Sequence, residues 1–558
     1  MSLVENSPAE TILTSGTVAR RLFPKSSSTT TGEPAKISIA VTAVMAVISA
    51  ALVPLRMLLS TGPPDDSSVF AYIGWAMHRG LMPYRDLWDH KGPLLYYLQF
   101  AGMSLRSTST IGIGLLELLA LSIAFFLLYR VISSFVSTFV SRVLAVLAVT
   151  FVAHFSLGGN MCESWALLPL AMAQYASWRW SQRISLNWCA PMLGASLACI
   201  FWIRPNMVTY PAVAMLVLLY AINQSQGFYG ALKQFASASA SALALSVLVV
   251  APLYRWGVFH DFIEAYFGYN AAYSGALSLS GRFLHTSQLL GQLFPTAVAI
   301  LGIAGWALWL KEVRGKVEIN GDLPFLYLQT LLWSLPCEIA AASLSGRDYP
   351  HYLLPLMPTF IVLAAWFLNR LEKQTKATPA VAVALLIGLC PFTLIAYSND
   401  FSKSTEPPHS QYLAVVHFLQ RATTPDDKII VVGVTEAAYI SFLAQRLPAS
   451  RFVYQLPLID ANNPAAGAQR KQFMCDIAQN RPAVIVSGNL MMGILCASKL
   501  DCIMRNQAAP ENDYGYQNML LPNLMQDLIT SEYRVVPDSR FGSFRVLVRN
   551  DVPIPAQW

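Results

Sequence analysis

The sequence predicts an α-helical, polytopic membrane protein with a C-terminal α/β domain, and three observations carry the prediction. Of 558 residues, 55% are hydrophobic and only 12% are charged, about half the roughly 25% of a soluble globular chain. Apolar stretches of roughly 18–22 residues, enough to cross about 30 Å of hydrocarbon as a helix, recur up to residue 397. Beyond residue 398 they stop, and short apolar runs alternate with mixed ones. The net charge of +7 is modest and gives no reason to expect nucleic acid.

Residues 1–37 form a polar, basic segment with Arg20, Arg21, Lys25 and Lys36, expected to be a disordered cytoplasmic tail. "ARRLFPK" resembles a twin-arginine signal. However, "SSSTTTGEP" separates it from the apolar run and no small-residue cleavage site follows, so the first span is expected to stay uncleaved. About eleven spans follow, at 38–59, 109–131, 140–157, 164–180, 187–204, 206–222, 236–254, 287–310, 323–343, 352–369 and 378–397. The least well separated pair has only "RPN" between its members. Basic residues near span ends favour the cytoplasm. With the N-terminus inside, the segments around Arg179 and Arg183, Lys233, "KEVRGK" and "NRLEKQTK" all fall inside, and the C-terminus falls outside. The expected organisation is a tail (1–37), a transmembrane domain (38–398) and an extracytoplasmic domain (399–558) in the inner membrane.

In the last part, "KIIVVGV" (428–434) and "AVIVSG" (483–488) read as buried strands, and 435–447 as a helix with Thr435 as candidate N-cap. "YRVVP" and "FRVLVRN" read as a closing pair, which together predicts a partly parallel sheet. No GxGxxG marks a nucleotide site. Five of eight cysteines lie in or beside spans and suit packing; Cys496 and Cys502 could close a disulfide in an oxidising compartment.

The stretch after the first span, "GPPDDSSVFAYIGWAMHRGLMPYRDLWDHKGPLLYYL", is crowded with charge and aromatics. The predicted topology places Asp65, Asp66, Arg85, Asp86, Asp89, His90 and Lys91 on the outer side. Glu163, Arg204, the aromatic run 260–275 and "SGRDYPHYLLPLMP" (345–358) fall there too. Each has an ordinary reading: an interfacial cap for the Asp pair, a helix terminator for "WDHKGP", a macrodipole-stabilised acid for Glu163, an aromatic belt for Tyr266, Phe267, Tyr269 and Tyr273. Arg204 is harder to treat so, because a cation near hydrocarbon has a partner or lines a wet cavity. Four loops placing acids, cations and aromatics on one side point to a site.

The first-loop segment resembles the first external loop of bacterial GT-C glycosyltransferases, the superfamily of protein O-mannosyltransferases and the aminoarabinose transferases of lipid A. It is similar in particular to a branch with a "DSSVF-Y-G…G-PYRD-(W/F)DHKGP" loop, and "GGN…E…LP", "RPN" and "GRDY-HY-LP" are also similar to that branch. The likeness spans most of residues 40–400 and excludes the tail. It implies transfer of a hexosyl or pentosyl group, with inversion, from a polyprenyl-phosphate donor to an extracytoplasmic glycan, lipid or protein. Asp66 is then the expected base, with Asp65 second. Lys91 and Arg204, supported by Arg347 and His351, are expected to hold the donor phosphate. Arg85, Asp86, His90, Tyr269, Asn270, Tyr273, Asp348 and Tyr349 are expected to line the substrate. Asp89 and Glu163 are hard oxygen ligands suited to Mg²⁺ or Mn²⁺, although members differ in metal dependence. The alternative is a transporter or flippase. Polar residues at outer span ends rather than at the midplane, and the lack of paired broken helices or inverted repeats, speak against it. A non-catalytic scaffold would leave the first loop unexplained.

Overall fold

The structure is a computed structural model. It describes residues 50–60, 65–182, 186–274, 279–294, 296–314, 325–375, 408–460, 463–487 and 530–556, with single positions between 388 and 402. The expected tail, most of the first span, the span at 378–397 and the Cys496–Cys502 pair lie outside the described residues.

Helices stand over the other nine expected spans: Ile111–Ile132, Thr138–Ser156, Cys162–Ser181, Leu186–Phe201, two that meet at Gly227 within Thr209–Arg255, Ala297–Arg314, Phe325–Ala342 and Met357–Thr375. Among the described residues, five helical stretches are long and apolar enough to cross a membrane, and the protein is a multi-pass membrane protein. The "RPN" linker is a single 3₁₀ turn, Pro205–Met207, so the doubtful pair is two helices. The span expected at 287–310 differs. Its first part belongs to a separate helix, Leu279–Gly291, and the apolar helix begins at Ala297. Pro295 lies between them in sequence and disfavours one continuous helix.

Two shorter helices flank the polar first loop. Asp66–His78 is capped by Asp65, whose carboxylate accepts the Ser67 N–H at 2.9 Å. Pro93–Leu105 starts with proline at its first position, where the missing N–H costs nothing. Between them the chain turns through the polar loop.

The C-terminal part is a five-stranded sheet in the order β2-β1-β3-β5-β4. Its strands are β1 (Lys428–Val432), β2 (Leu447–Pro448), β3 (Val484–Ser487), β4 (Tyr533–Val536) and β5 (Arg545–Arg549). β1 runs parallel to β2 and β3, with Ile430 opposite Ile485; β5 is antiparallel to β3 and β4, with Leu547 opposite both Ile485 and Val535. The partly parallel sheet expected from the apolar runs is present. Thr435 is not the cap, however: the helix Thr435–Ala444 is preceded by Val434 at the cap position with no side-chain bond, so Thr435 is already its first residue. One face of the sheet packs a core of its own around Val415, Phe418, Ile429, Ile440 and Val546. The other face shares a core with the helical part through Ile430, Phe452 and Tyr454.

Candidate functional site

The two adjacent aspartates are separated by their surroundings. Asp65 is bound by the buried Arg56 guanidinium, with Nη2 donating to Oδ1 at 2.7 Å and Nη1 to Oδ2, while its own helix takes the rest. Asp66, half-buried in the helix's first turn, makes no hydrogen bond or ion pair with any described residue. Beneath this helix lies the "GGN" turn. Gly158, Gly159 and Asn160 all have positive φ, from 62° to 103°, which glycine and asparagine adopt most readily. The turn aims Asn160 upward, so its Nδ2 donates to the Ser67 carbonyl at 3.1 Å while its backbone N–H donates to Glu117 at 2.7 Å. Asn160 Oδ1 accepts from Gln99 Nε2 at 2.6 Å and from Trp165 Nε1 at 2.9 Å. The helix that carries Asp66 therefore rests on a fully bonded polar layer.

"WDHKGP" is the centre of the site. A Cβ on Gly92 would sit 1.9 Å from the Trp202 carbonyl oxygen, so glycine is required there. The close approach lets Gly92 N–H donate to the Ile203 carbonyl at 3.0 Å, locking the loop to the segment before Arg204. Asp89, His90 and Lys91 are all buried. Asp89 Oδ2 accepts from the Tyr96 hydroxyl at 2.7 Å, and Oδ1 from the Tyr454 hydroxyl at 2.6 Å and the His90 N–H at 2.8 Å. Burial opposes ionisation of this carboxyl, yet the His90 hydrogen bond, the Lys91 charge and the Tyr454 hydroxyl hold it well below the usual range. His90 is pushed down by burial and by the Lys91 charge, which favours the neutral ring. Lys91 Nζ lies 2.8 Å from His90 Nε2 and donates to it, which leaves the ring proton on Nδ1, 3.3 Å from Asp89. Burial alone would lower the Lys91 ammonium; the Asp66 and Asp89 carboxylates outweigh it and hold the group above the ordinary lysine range. Lys91 is thus a buried, permanent cation within the field of Asp66.

A second cation adjoins the first. Arg204 donates through Nη1 to Glu163, and its guanidinium lies 4.2 Å from the centre of the Tyr352 ring. Its charge reaches Lys91 and His90. His351 is buried, 5.7 Å from Tyr349 in a ring stack, and its Nδ1 has no hydrogen-bond partner among the described residues. Arg347 is buried too. Asp348 lies 4.0 Å from His285, on the helix Leu279–Gly291.

The aromatic run contributes through a π-helical turn, Glu264–Tyr269, a distortion often found at functional sites. It sets the Asn270 Nδ2 to donate to the His90 carbonyl at 2.8 Å and packs Tyr269 edge-on to Trp88 at 5.0 Å. The side chain of Tyr273 lies outside the described residues. Arg85 and Asp86 form a partly exposed pair, 2.8 Å apart, at the loop's outer turn.

Sequence reasoning missed one whole wall, supplied by the C-terminal part. Tyr454 caps Asp89, Asp460 accepts from Tyr269 at 3.1 Å, and the Arg451 carbonyl accepts from Trp88 N–H at 2.7 Å. It missed the supports Arg56, Tyr96, Glu117 and Asn160 as well. An acid within the apolar run 109–131 was the available signal for Glu117; no local pattern marked Tyr454.

The residues suggested for a metal do not fit a resident divalent ion. Both Asp89 oxygens accept hydroxyl protons, Glu163 is bound to Arg204, and among the described residues no three His, Cys, Asp or Glu side chains converge on one point.

Residues 25–380 match the family described as "Putative competence-induced protein Ccs4 N-terminal domain", and the chain belongs to that family. No curated protein matches it in sequence. Among solved structures it is similar to ArnT from Cupriavidus metallidurans. The apo form matches at 12% identity and TM-score 0.55, and the form bound to undecaprenyl phosphate at 14% and 0.54, each over 92% of this chain and 97% of that one. It is also similar to the Archaeoglobus fulgidus oligosaccharyltransferase tethered to an acceptor peptide, at 14% identity and TM-score 0.50, over 82% of this chain and 69% of that one. The fold is that of GT-C glycosyltransferases, as the first loop suggested.

Proposed function

We propose that the protein is an integral membrane glycosyltransferase. It would move a sugar from a polyprenyl-phosphate donor to an acceptor outside the cytoplasm by inverting displacement. The observation that carries this reading is the pairing of an unbonded carboxylate, Asp66, with a buried cation, Lys91, and a half-buried one, Arg204, whose fields overlap. That arrangement suits a reaction in which a hydroxyl loses a proton while a phosphate gains negative charge. The acceptor oxygen would bond to the anomeric carbon as the bond from that carbon to the phosphate oxygen breaks. Asp66 would take the hydroxyl proton, and Lys91 and Arg204 would stabilise the departing phosphate, with His351 and Arg347 behind them. Asp65, held by Arg56, would serve as the helix cap that fixes Asp66. His90, Asn270, Tyr269 and Tyr349 would shape the site around them. The likeness to ArnT, one form of which was solved with undecaprenyl phosphate, supports a lipid-phosphate donor.

The test is transfer of radiolabelled sugar from undecaprenyl-phosphate donors by the purified protein. Asp66→Asn should fold and still bind donor, while turnover falls on the order of 10²–10⁴, the contribution of a positioned base. Asp65→Asn should cost stability more than turnover. Near-normal transfer by Asp66→Asn would remove the base from this position, and solute counterflow without a covalent product would favour the transporter.

The same reading requires the C-terminal sheet to lie outside the cytoplasm. In a variant retaining only Cys475, which is exposed, a membrane-impermeant thiol reagent should label intact spheroplasts. Labelling only after lysis would reverse the orientation.

A further inference from the structure

The family match ends at residue 380, yet a central buried carboxylate of the site is completed from residue 454. We propose that Tyr454, in the C-terminal domain, is a positioning residue for Lys91, acting through Asp89 and His90. The proposal rests on the glycosyltransferase reading, which assigns Lys91 to the donor phosphate.

The geometry is a relay of single bonds. Tyr454 is 5% exposed, its ring centre lies 6.2 Å from that of Trp88, and its hydroxyl donates to Asp89 Oδ1 at 2.6 Å. Asp89 accepts from the Tyr96 hydroxyl on its other oxygen and lies 3.3 Å from His90 Nδ1. His90 Nε2 accepts from Lys91 Nζ at 2.8 Å. The titratable groups facing this relay are Asp66, Tyr84, Tyr96, Cys162, Arg204, Tyr269, His351 and Tyr454. A lysine has a long, rotatable stem and three donors, so its ammonium is a poor fixed point unless something holds it. Here the holder is an imidazole, whose orientation depends on the carboxylate behind it. Two phenols from two domains pin that carboxylate. Docking alone would not need this arrangement. The two parts already meet through the Tyr72 hydroxyl on the Arg446 carbonyl at 2.9 Å and through the Trp88 N–H on the Arg451 carbonyl at 2.7 Å, neither touching Asp89.

The test is a double-mutant cycle read by binding of undecaprenyl phosphate to the purified full-length protein. Tyr454→Phe keeps the ring and removes the hydroxyl. It should weaken binding roughly three- to tenfold, the loss of part of one charge-assisted hydrogen bond. In a Lys91→Met background the same change should have almost no further effect, because the relay then ends on nothing. Tyr72→Phe, a docking contact, should leave lipid binding unchanged in either background. Equal losses from Tyr454→Phe with and without Lys91, or a loss matched by Tyr72→Phe, would overturn the inference and make Tyr454 a docking residue. Unchanged binding in Tyr454→Phe would overturn it as well. Failure of the wild-type protein to bind the lipid would instead sink the glycosyltransferase reading on which the inference rests.

Discussion

Two acid–base groupings stand three residues apart in one loop and have opposite characters. Arg85 and Asp86 form a two-pronged pair at 2.8 and 2.9 Å, and the arginine side chain is 46% exposed. Asp89, His90 and Lys91 are buried, and the side chain of Asp89 is only 3% exposed. By letter the two groups look alike. The outer pair can exchange its partners for water, so its ion pair adds little. The inner group cannot, and every proton and lone pair there must be placed by the fold. Burial, not charge, separates the brace of a turn from the centre of a site.

The sharpest way to break that contrast is to remove one charge from the inner group. Asp89→Asn keeps the shape but offers one oxygen where two phenols donate, and it leaves Lys91 with less countercharge. The expected cost is about 3–5 kcal/mol, as for other broken buried pairs, seen as a lower thermal midpoint in detergent. An unchanged midpoint would mean that water reaches Asp89, and the inner group would resemble the outer one.

Arg204 tests the second cation. Its guanidinium is shared between Glu163 and the face of Tyr352, a geometry that suits a planar fork better than a point charge. Arg204→Ala should lower affinity for undecaprenyl phosphate by about tenfold or more, the equivalent of about 1.4 kcal/mol, and Arg204→Lys should restore only part of it. Unchanged affinity in both would make Arg204 a structural partner of Glu163 alone.

How much of this was legible in the sequence differs by element. The helices are legible because a span is a local property: about twenty apolar residues in a row are visible without knowing the neighbours. Strands β1 and β3 are legible for a similar reason, each containing four consecutive buried residues. The site is legible as a crowd of charged residues on one side, but not in its division of labour. Asp65 and Asp66 differ because Arg56, nine residues earlier, reaches one and not the other. Asp89 differs from Asp86 because Tyr454 comes from the far end of the chain. Such contacts are set by packing at long sequence separation, and no periodicity or spacing encodes them. The break before Ala297 falls between these cases, since Pro295 is visible in the sequence while the apolar run continues on both sides of it.

The smallest expected effect lies at the outer pair, and it bounds the comparison from below. Arg85→Ala removes the two bonds to Asp86 and a long contact, 3.5 Å, to the Trp256 carbonyl. Asp86 would still accept the Met82 N–H at 2.8 Å, which is the bond that closes the turn. Its carboxyl is held below the ordinary range despite partial burial, through Arg85, the Met82 N–H and the charge of Arg451; two of those three survive the substitution. The turn should therefore keep its shape, with a stability change within about 0.5 kcal/mol. Affinity for undecaprenyl phosphate and the rate of sugar transfer should both match wild type. A tenfold loss of transfer with an intact thermal midpoint would show that Arg85 meets a substrate at the loop's outer edge. The outer pair would then belong to the site and not only brace the turn.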